Sequence, residues 1–449
     1  MVAGGLSLVV LAALLASRTR TAEPVVPPPP QTSLPAERGD AALAQRLAER
    51  AAQVAGQDPR GALRLLLAAH VVVPDNPVHR IALAQALLGA TQPVRVLRGR
   101  LDTGGPVRYA AVNSDASILV TGGAAAGHLW QIAALTGPPR IRLATELNTP
   151  VTGAAGAGTL ASTKLLLAGN DGVFVWRVVT PGDARRLGQV AGPVDALALT
   201  ADGNMAITVE ATTATLADVG LPRPVPEATL SYDQPVITVA FAPGPGLAPA
   251  AGHVDGAVTI HTIDRDRGTT TKRSLTSSGG AVDAVALSAD ASTVVALHQD
   301  GTISVWDLRT DAAAPVGTVA AAAGKGPHRV WASGTGDYAF VADAAGPPAL
   351  WSLAERGRPT RMLVLGLGAD PAVPAMISLD GRAVATIDRT NTLTTWDIGP
   401  TVDVLSDPIA RACQLADMSE QQWRQMVPTE AMANPCAAPV LPSLSVSNG

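Results

Sequence analysis

The 449-residue chain is 47% hydrophobic and 16% charged, with a net charge of −4, a balance that supports a buried core and excludes a solvated, disordered tail. Its three lysines, Lys164, Lys272 and Lys325, are scattered, so no basic face for phosphate backbones is apparent and nucleic acid is not an expected partner. With only two cysteines, Cys413 and Cys436, a disulfide-dense scaffold and a Cys-x-x-Cys metal or redox site are both excluded, and one candidate disulfide remains.

Residues 8–16 are apolar, a run that widens to residue 2 if Gly4, Gly5 and Ser7 are tolerated, and Arg18 and Arg20 follow it. About 20 apolar residues are needed to cross a bilayer. The expected reading of residues 1–20 is a single-pass membrane anchor, short or continued by an upstream start. The alternatives are a cleaved signal segment, though no basic residue precedes the run, and a buried soluble stretch. Cues to sidedness conflict. Arg18 and Arg20 would hold the following domain in the cytoplasm, whereas a disulfide would place it outside. The expectation adopted is a single-pass protein of the cell membrane with an extracytoplasmic body, the alternative being a secreted chain.

Residues 21–39 read as a Pro-rich linker, stiff and extended through Pro27, Pro28, Pro29 and Pro30. From Asp40 the period becomes helical, with Leu43, Leu47 and Val54 on one face and Gly56 as a stop. Asp58 and Pro59 are an N-cap and N1 pair for a second helix, and Asn76 and Pro77 repeat the signal for a third. Residues 40–91 are thus expected to form about three short helices packed antiparallel, either a protein-binding groove or, more plainly, a spacer packed on the next domain.

From residue 92 to 402 short β-type runs alternate with Gly, Asp, Asn and Pro, and an internal repeat emerges. Residues 280–308 (GAVDAVALSADASTVVALHQDGTISVWDL) and 371–398 (PAVPAMISLDGRAVATIDRTNTLTTWDI) show it most clearly: strand, turn with Asp290 or Asp380, strand, turn, and a strand ending in Trp-Asp. With the Trp as landmark, the equivalent positions are Trp130, Trp176, Ala217, His261, Trp306, Trp351 and Trp396, spaced by 46, 41, 44, 45, 45 and 45 residues. In the first turn, Asp115, Asp202, Asp290, Asp337 and Asp380 stand 15, 15, 16, 14 and 16 residues before their landmarks. Seven copies of a sheet that cannot hide both apolar faces alone predict a closed seven-bladed β-propeller, an all-β ring. Residues 93–97, ahead of the first full copy, are placed to supply the outer strand of the last blade.

This ring resembles a WD40 repeat propeller. Trp306-Asp307 and Trp396-Asp397 are the two plain Trp-Asp pairs, and Ala217-Asp218 is a degenerate third. No blade carries at its start the Gly-His pair that commonly opens such blades. Asp300 and Trp306 could form half of the usual network, but its histidine is missing, which leaves the ring to apolar packing. Taken with the anchor, the helical stretch LAQRLAERAAQVAGQDPRGALRLLLAAH and the tail ARACQLADMSEQQWRQMVP, the chain is similar to the membrane-linked WD40 proteins of actinobacteria. Many of those follow a STAND-type nucleotide-binding module that this chain lacks. Its arginine-over-lysine bias and alanine richness fit a GC-rich genome.

Residues 403–449 form a tail in which Asp407-Pro408 opens one helix and Ser419 with Gln422 boxes another around Trp423. It is expected to pack back on the ring, and a Cys413–Cys436 bridge would staple it; two buried thiols are the plainer alternative. The seven histidines, His70, His79, His128, His253, His261, His298 and His328, show no ligand spacing. The Gly-rich stretches 122–127 and 244–246 and the Gly-Lys-Gly at Lys325 lack P-loop spacing, no Gly-x-Ser-x-Gly occurs, and Asp264 and Asp266 alternate with Arg265 and Arg267 as a salt-bridged loop would. No catalytic residue, metal or cofactor is therefore assigned. The function expected is a membrane-tethered, non-enzymatic scaffold that binds a protein or peptide at the ring's top face and channel mouth. The alternative is a sensory or regulatory subunit working with a separate nucleotide-binding or kinase partner.

Overall fold

The computed structural model describes residues 36–436 apart from residues 75, 89–92, 124–125, 133–139, 148–149, 160–161, 180–182, 222, 245, 321–327, 344–346, 368–371, 417 and 428–433. The expected anchor at 1–20 and the linker up to residue 35 lie outside the described residues. Among the described residues no helix is long and apolar enough to cross a membrane.

Three helices come first, α1 (Ala36–Val54), α2 (Pro59–Val72) and α3 (Pro77–Leu88). Ala36, Glu37 and Arg38 are good helix formers, so α1 begins upstream of Asp40 and reaches 19 residues. Asp58 caps α2 by accepting the Gly61 amide at 2.8 Å, and a side chain at Gly61 would strike that carboxylate.

The strands form seven four-stranded antiparallel sheets. β1 (Val94–Arg100) stands alone at first. Blade 1 is β2 (Tyr109–Val112), β3 (Ile118–Gly122), β4 (Gly127–Gln131) and β5 (Arg142–Leu147); blade 2 is β6 (Gly153–Thr159), β7 (Ser162–Gly169), β8 (Gly172–Val178) and β9 (Ala184–Ala191). Blade 3 is β10 (Ala196–Leu199), β11 (Met205–Glu210), β12 (Thr213–Asp218) and β13 (Val225–Ser231); blade 4 is β14 (Val236–Phe241), β15 (Pro249–His253), β16 (Val258–Asp264) and β17 (Thr269–Leu275). Blade 5 is β18 (Val282–Leu287), β19 (Thr293–His298), β20 (Thr302–Asp307) and β21 (Gly317–Ala320); blade 6 is β22 (His328–Ala332), β23 (Tyr338–Asp343), β24 (Ala349–Ser352) and β25 (Thr360–Val364). Blade 7 takes β26 (Met376–Ile377), β27 (Ala383–Ile387) and β28 (Thr392–Asp397) from the end of the repeats and β1 from their beginning, in the order β26-β27-β28-β1. The chain is therefore a seven-bladed β-propeller. β1 clasps it, with Val94 opposite Asp397 and Arg100 opposite Thr392.

Five first turns share one frame that explains their sequence. A side-chain oxygen at the first position accepts the amide five residues on: Asn113 from Ile118, Thr200 from Met205, Ser288 from Thr293, Ser333 from Tyr338 and Ser378 from Ala383. At the third position Asp115, Asp202, Asp290 and Asp380 accept the amide two residues on. Asp337 breaks the equivalence. Blade 6 has Thr335 at the third position, donating to Asp337 at the fifth, which accounts for the odd spacing of 14. The fourth position has φ near +50 to +72° in all five, as Ala116, Gly203, Ala291, Gly336 and Gly381. Three turns meet that left-handed requirement with glycine and two impose it on alanine.

The ring ends at Asp397, not at residue 402. Asp397 turns its Oδ1 to the Gly399 amide at 2.7 Å and α4 (Gly399–Ser406) begins, followed by α5 (Pro408–Ala416) and α6 (Glu420–Met426). Ser419 and Gln422 do form a capping box on α6. These helices pack on α2 and α3. One apolar core holds Leu67 and Leu83 of the first set, Ala412 and Trp423 of the last, and Phe340 and Val384 of blades 6 and 7. The N-terminal helices are thus half of a cap whose other half is the tail. Arg64 Nε donates to the Ala416 carbonyl at 2.7 Å, and Cys413 and Cys436 are joined with a Cα–Cα separation of 5.1 Å.

Candidate functional site

The innermost strands β2, β6, β10, β14, β18 and β22 touch in succession, and β2 also touches β26. Where these strands start, a cavity of about 510 Å³ opens on the ring axis. Its wall is mostly small and apolar, and its rim carries Arg108, Asp195, Asp283, His328 and Arg329. Arg108 and Asp195 are exposed. Asp283 of blade 5 accepts both the backbone amide and Nδ1 of His328 in blade 6, each at 2.8 Å. β26 has only two residues, so blade 7 leaves the rim open on one side. Arg329 spans that gap: its Nη2 donates to the Ala110 carbonyl of blade 1, and its guanidinium lies 5.8 Å from the Tyr109 ring centroid. Tyr109 in turn grips blade 2 through its hydroxyl, which donates to the Ala154 carbonyl at 2.7 Å and accepts the Ala154 amide at 2.8 Å. The rim is thereby a rigid, mixed-charge ring around an apolar floor, suited to holding a side chain or a chain end.

The seven landmarks fall elsewhere. Trp130, Trp176, Ala217, His261, Trp306, Trp351 and Trp396 all sit on the third strand of their blades, two strands out from the axis. Trp130 donates to Thr121 on its neighbouring strand at 2.8 Å and Trp396 to Thr386 at 3.3 Å, while Trp306 turns to the Ala313 carbonyl at 3.2 Å. Asp307 is held between blades. The Arg309 fork binds it at 2.9 and 2.7 Å, Arg356 of blade 6 reaches it at 3.4 Å, and its pKa falls to about 2, chiefly through Arg309. Arg265 and Arg267 are paired, but with Glu227 across the blade boundary and with Asp264, respectively. Among the described residues no group of three or more His, Cys, Asp or Glu could hold a metal ion.

Histidine networks exist although no Gly-His pair opens a blade; Gly252-His253 lies at the end of β15. His298 ends the second strand of blade 5; its Nδ1 meets the Gly280 carbonyl at 2.7 Å and its Nε2 the Ser304 hydroxyl at 2.9 Å. His253 in blade 4 meets the Gln234 carbonyl at 3.1 Å and Thr259 at 2.8 Å. The ring does not rely on apolar packing alone. The signal was present in the sequence as a His with a hydroxyl residue six positions later, twice, at the same point in consecutive repeats.

Burial pushes the pKa of His253, His261 and His298 below the ordinary 6.5, as it does for His70 and His79 in the cap. His261 is packed edge-on against Tyr232, centroids 5.2 Å apart, and both of its ring nitrogens are buried without a hydrogen-bond partner among the described residues. Below about pH 6.5 the unfolded chain binds protons that the folded chain refuses, so stability falls with falling pH from that point and is level above it. Asp307 has the depressed carboxylate case: its contribution is present above about pH 4 and fades toward pH 2. Thermal midpoints recorded from pH 8 to 4 should be flat to about pH 6.5 and then decline; a midpoint unchanged at pH 5 would contradict the buried neutral histidines.

No family model and no curated protein matches the chain. Among solved structures, one described as "Structure of U3-55K" is similar with a TM-score of 0.51 at 12% identity, over 68% of this chain and 99% of that one. At that identity the likeness concerns the fold, and it agrees with the seven closed sheets: this chain is a β-propeller carrying a helical cap built from both of its ends.

Proposed function

We propose that the chain is a membrane-tethered scaffold without catalytic activity whose ring binds a protein or peptide segment at the axial mouth. The observation that carries this reading is the cavity of about 510 Å³ framed by Arg108, Asp195, the Asp283–His328 pair and Arg329, a rigid recess with charges of both signs and an apolar floor. Propellers commonly act as such platforms. The repeats are read as degenerate WD40 repeats, on the Trp306-Asp307 and Trp396-Asp397 pairs and the spacing near 45, with kinship to the membrane-linked proteins of actinobacteria.

The test is a photo-crosslinking residue placed at Thr152 or Ile237 on the mouth, and at Thr271 on an outer strand, in the full chain in its own cells. A discrete adduct is expected from the mouth positions only, and it should disappear in the Arg108→Glu, Asp195→Lys double variant while the far-ultraviolet spectrum stays unchanged. Adducts that persist in that variant, or that form equally at Thr271, would overturn the assignment of the mouth.

A further inference from the structure

Blade 2 departs from the repeat at the place where blades 4 and 5 carry their histidine networks. Ser304 stands opposite Ala296 and Thr259 opposite Ala251, and each network histidine, His298 or His253, comes two residues after that partner. In blade 2 the register sets Phe174 opposite Leu167, so the same two places are held by Gly169 and Phe174. The polar pair is gone. A Cβ at Gly169 would come within 2.7 Å of the Pro150 carbonyl oxygen, so no side chain fits where the histidine ring lies in the other blades. A cavity of about 320 Å³, lined by both Gly169 and Phe174, opens there between blades 1 and 2.

Its floor is apolar, made by Leu147 of blade 1, Val151 on the connection and Leu167 of blade 2, and it is backed by the core that Leu129 and Leu165 share. Phe174 and Trp176 stand opposite Gln189 and Arg186 of β9, so all four side chains are on the face turned to blade 1. Both aromatic rings are half-buried, whereas Asp171, Arg186 and Gln189 at the edge are exposed. Two residues before the landmark the other blades carry His, Thr, Ser or Ala. The paired aromatic rings are therefore particular to blade 2.

The fold leaves the polar groups around these rings open. The Arg186 guanidinium lies 3.4 Å from the Phe174 ring centroid and makes no ion pair or hydrogen bond among the described residues, and the Asp171 carboxylate makes none either. Gln189 Nε2 donates to the Asp171 and Ala191 carbonyls at 3.4 and 3.1 Å, which leaves its Oε1 as an acceptor. Trp130, Trp306, Trp331 and Trp396 each donate the indole N–H within the chain. Trp176 does not do so among the described residues, and its nitrogen is not sealed away as that of Trp351 is.

Two aromatic rings are thus edged by two donors and two acceptors, and the ligand that suits them must donate, accept and present an apolar face. A carboxylate or phosphate would meet Arg186 but stand against Asp171, and a cationic amine would do the reverse. A purely apolar group would strip water from all four polar groups without replacing its hydrogen bonds. Hydroxyls both donate and accept, and the C–H face of a sugar ring packs on the electron-rich face of an aromatic one. The volume stands at the low end of ligand pockets, about 300 Å³, which suits a single ring. We propose that the cavity between blades 1 and 2 binds a neutral pyranose sugar, its C–H face on the wall of Phe174 and Trp176 and its hydroxyls on the polar groups at the edge. The site neighbours the axial mouth, since Ala168 lines both, but it uses none of the mouth's charged residues.

The test is saturation-transfer difference NMR on the full chain with the methyl glycosides of glucose, galactose, mannose and N-acetylglucosamine, followed by titration of those that respond. Transfer to the ring C–H protons of at least one is expected. Arg186→Gln, at an exposed position, should raise its dissociation constant about tenfold and Trp176→Phe about fivefold, as the loss of a charge-assisted and of a neutral hydrogen bond would, with the far-ultraviolet spectrum unchanged. Trp396→Phe, the same replacement at the half-buried landmark of blade 7, should leave the constant as it is. Absence of transfer to every glycoside, an affinity unchanged in Arg186→Gln, or an equal loss in Trp396→Phe would overturn the proposal. So would benzoate, as an aromatic anion, binding more tightly than every glycoside in a manner lost in Arg186→Gln.

Discussion

A chain that begins at residue 101 is expected not to reach the native ring. Removing β1 leaves β28 as an unpaired edge in blade 7, takes away every partner from Val94↔Asp397 to Arg100↔Thr392, and uncovers the core to which Leu97 contributes. Losing α1–α3 with it exposes Leu67, Leu83, Leu87 and the α4–α6 faces they cover. Each of these losses is several kcal/mol, and together they compare with the roughly 5–15 kcal/mol that hold a whole domain. Chemical unfolding followed by circular dichroism should show a single cooperative transition for the chain beginning at residue 36 and a broad, early or absent one for the chain beginning at residue 101. A shared midpoint would show that the ring closes without its clasp.

Trp306→Ala should cost about 3–5 kcal/mol, the usual range for emptying a large buried aromatic site. Trp306 is only 1% exposed, sits opposite Val294 on the neighbouring strand and fills the core between blades 4 and 5 with Val258, Ile260 and Leu287. Trp396, at the same register position in blade 7, is half-buried, so its replacement by alanine should cost nearer to 1–2 kcal/mol on the area it hides. Blade 3 already carries Ala217 there, fully buried. Urea midpoints of the two variants decide the matter, and equal losses would mean that the landmark is not a packing position graded by burial.

Most of the ring could be read from the sequence because blades repeat a local pattern. The landmark is a third-strand core position whether Trp, His or Ala fills it, and the Asp turn precedes it at nearly fixed distance since both belong to one meander. The clasp was readable too, as an extra strand with no blade of its own. The misreadings came where contacts are not local. Asp337 was aligned by residue type, although the turn frame puts Thr335 in its place. The histidine networks were sought at blade openings, whereas His253 and His298 end the second strand. Nothing in residues 40–91 or 403–449 taken separately shows that Leu67 will meet Ala412 and Trp423 in one core.

The strand order of blade 7 also sets a timetable. β1 leaves the ribosome early, and the strand it must pair with is made roughly 300 residues later, a wait on the order of 15–60 s at ordinary synthesis rates of about 5–20 residues per second. Throughout that interval the growing chain holds an open row of amides and carbonyls at one end and an uncovered apolar helix face beside it. Until β28 is made, the native partner of that edge does not exist, so closure of the ring is the last event of its assembly.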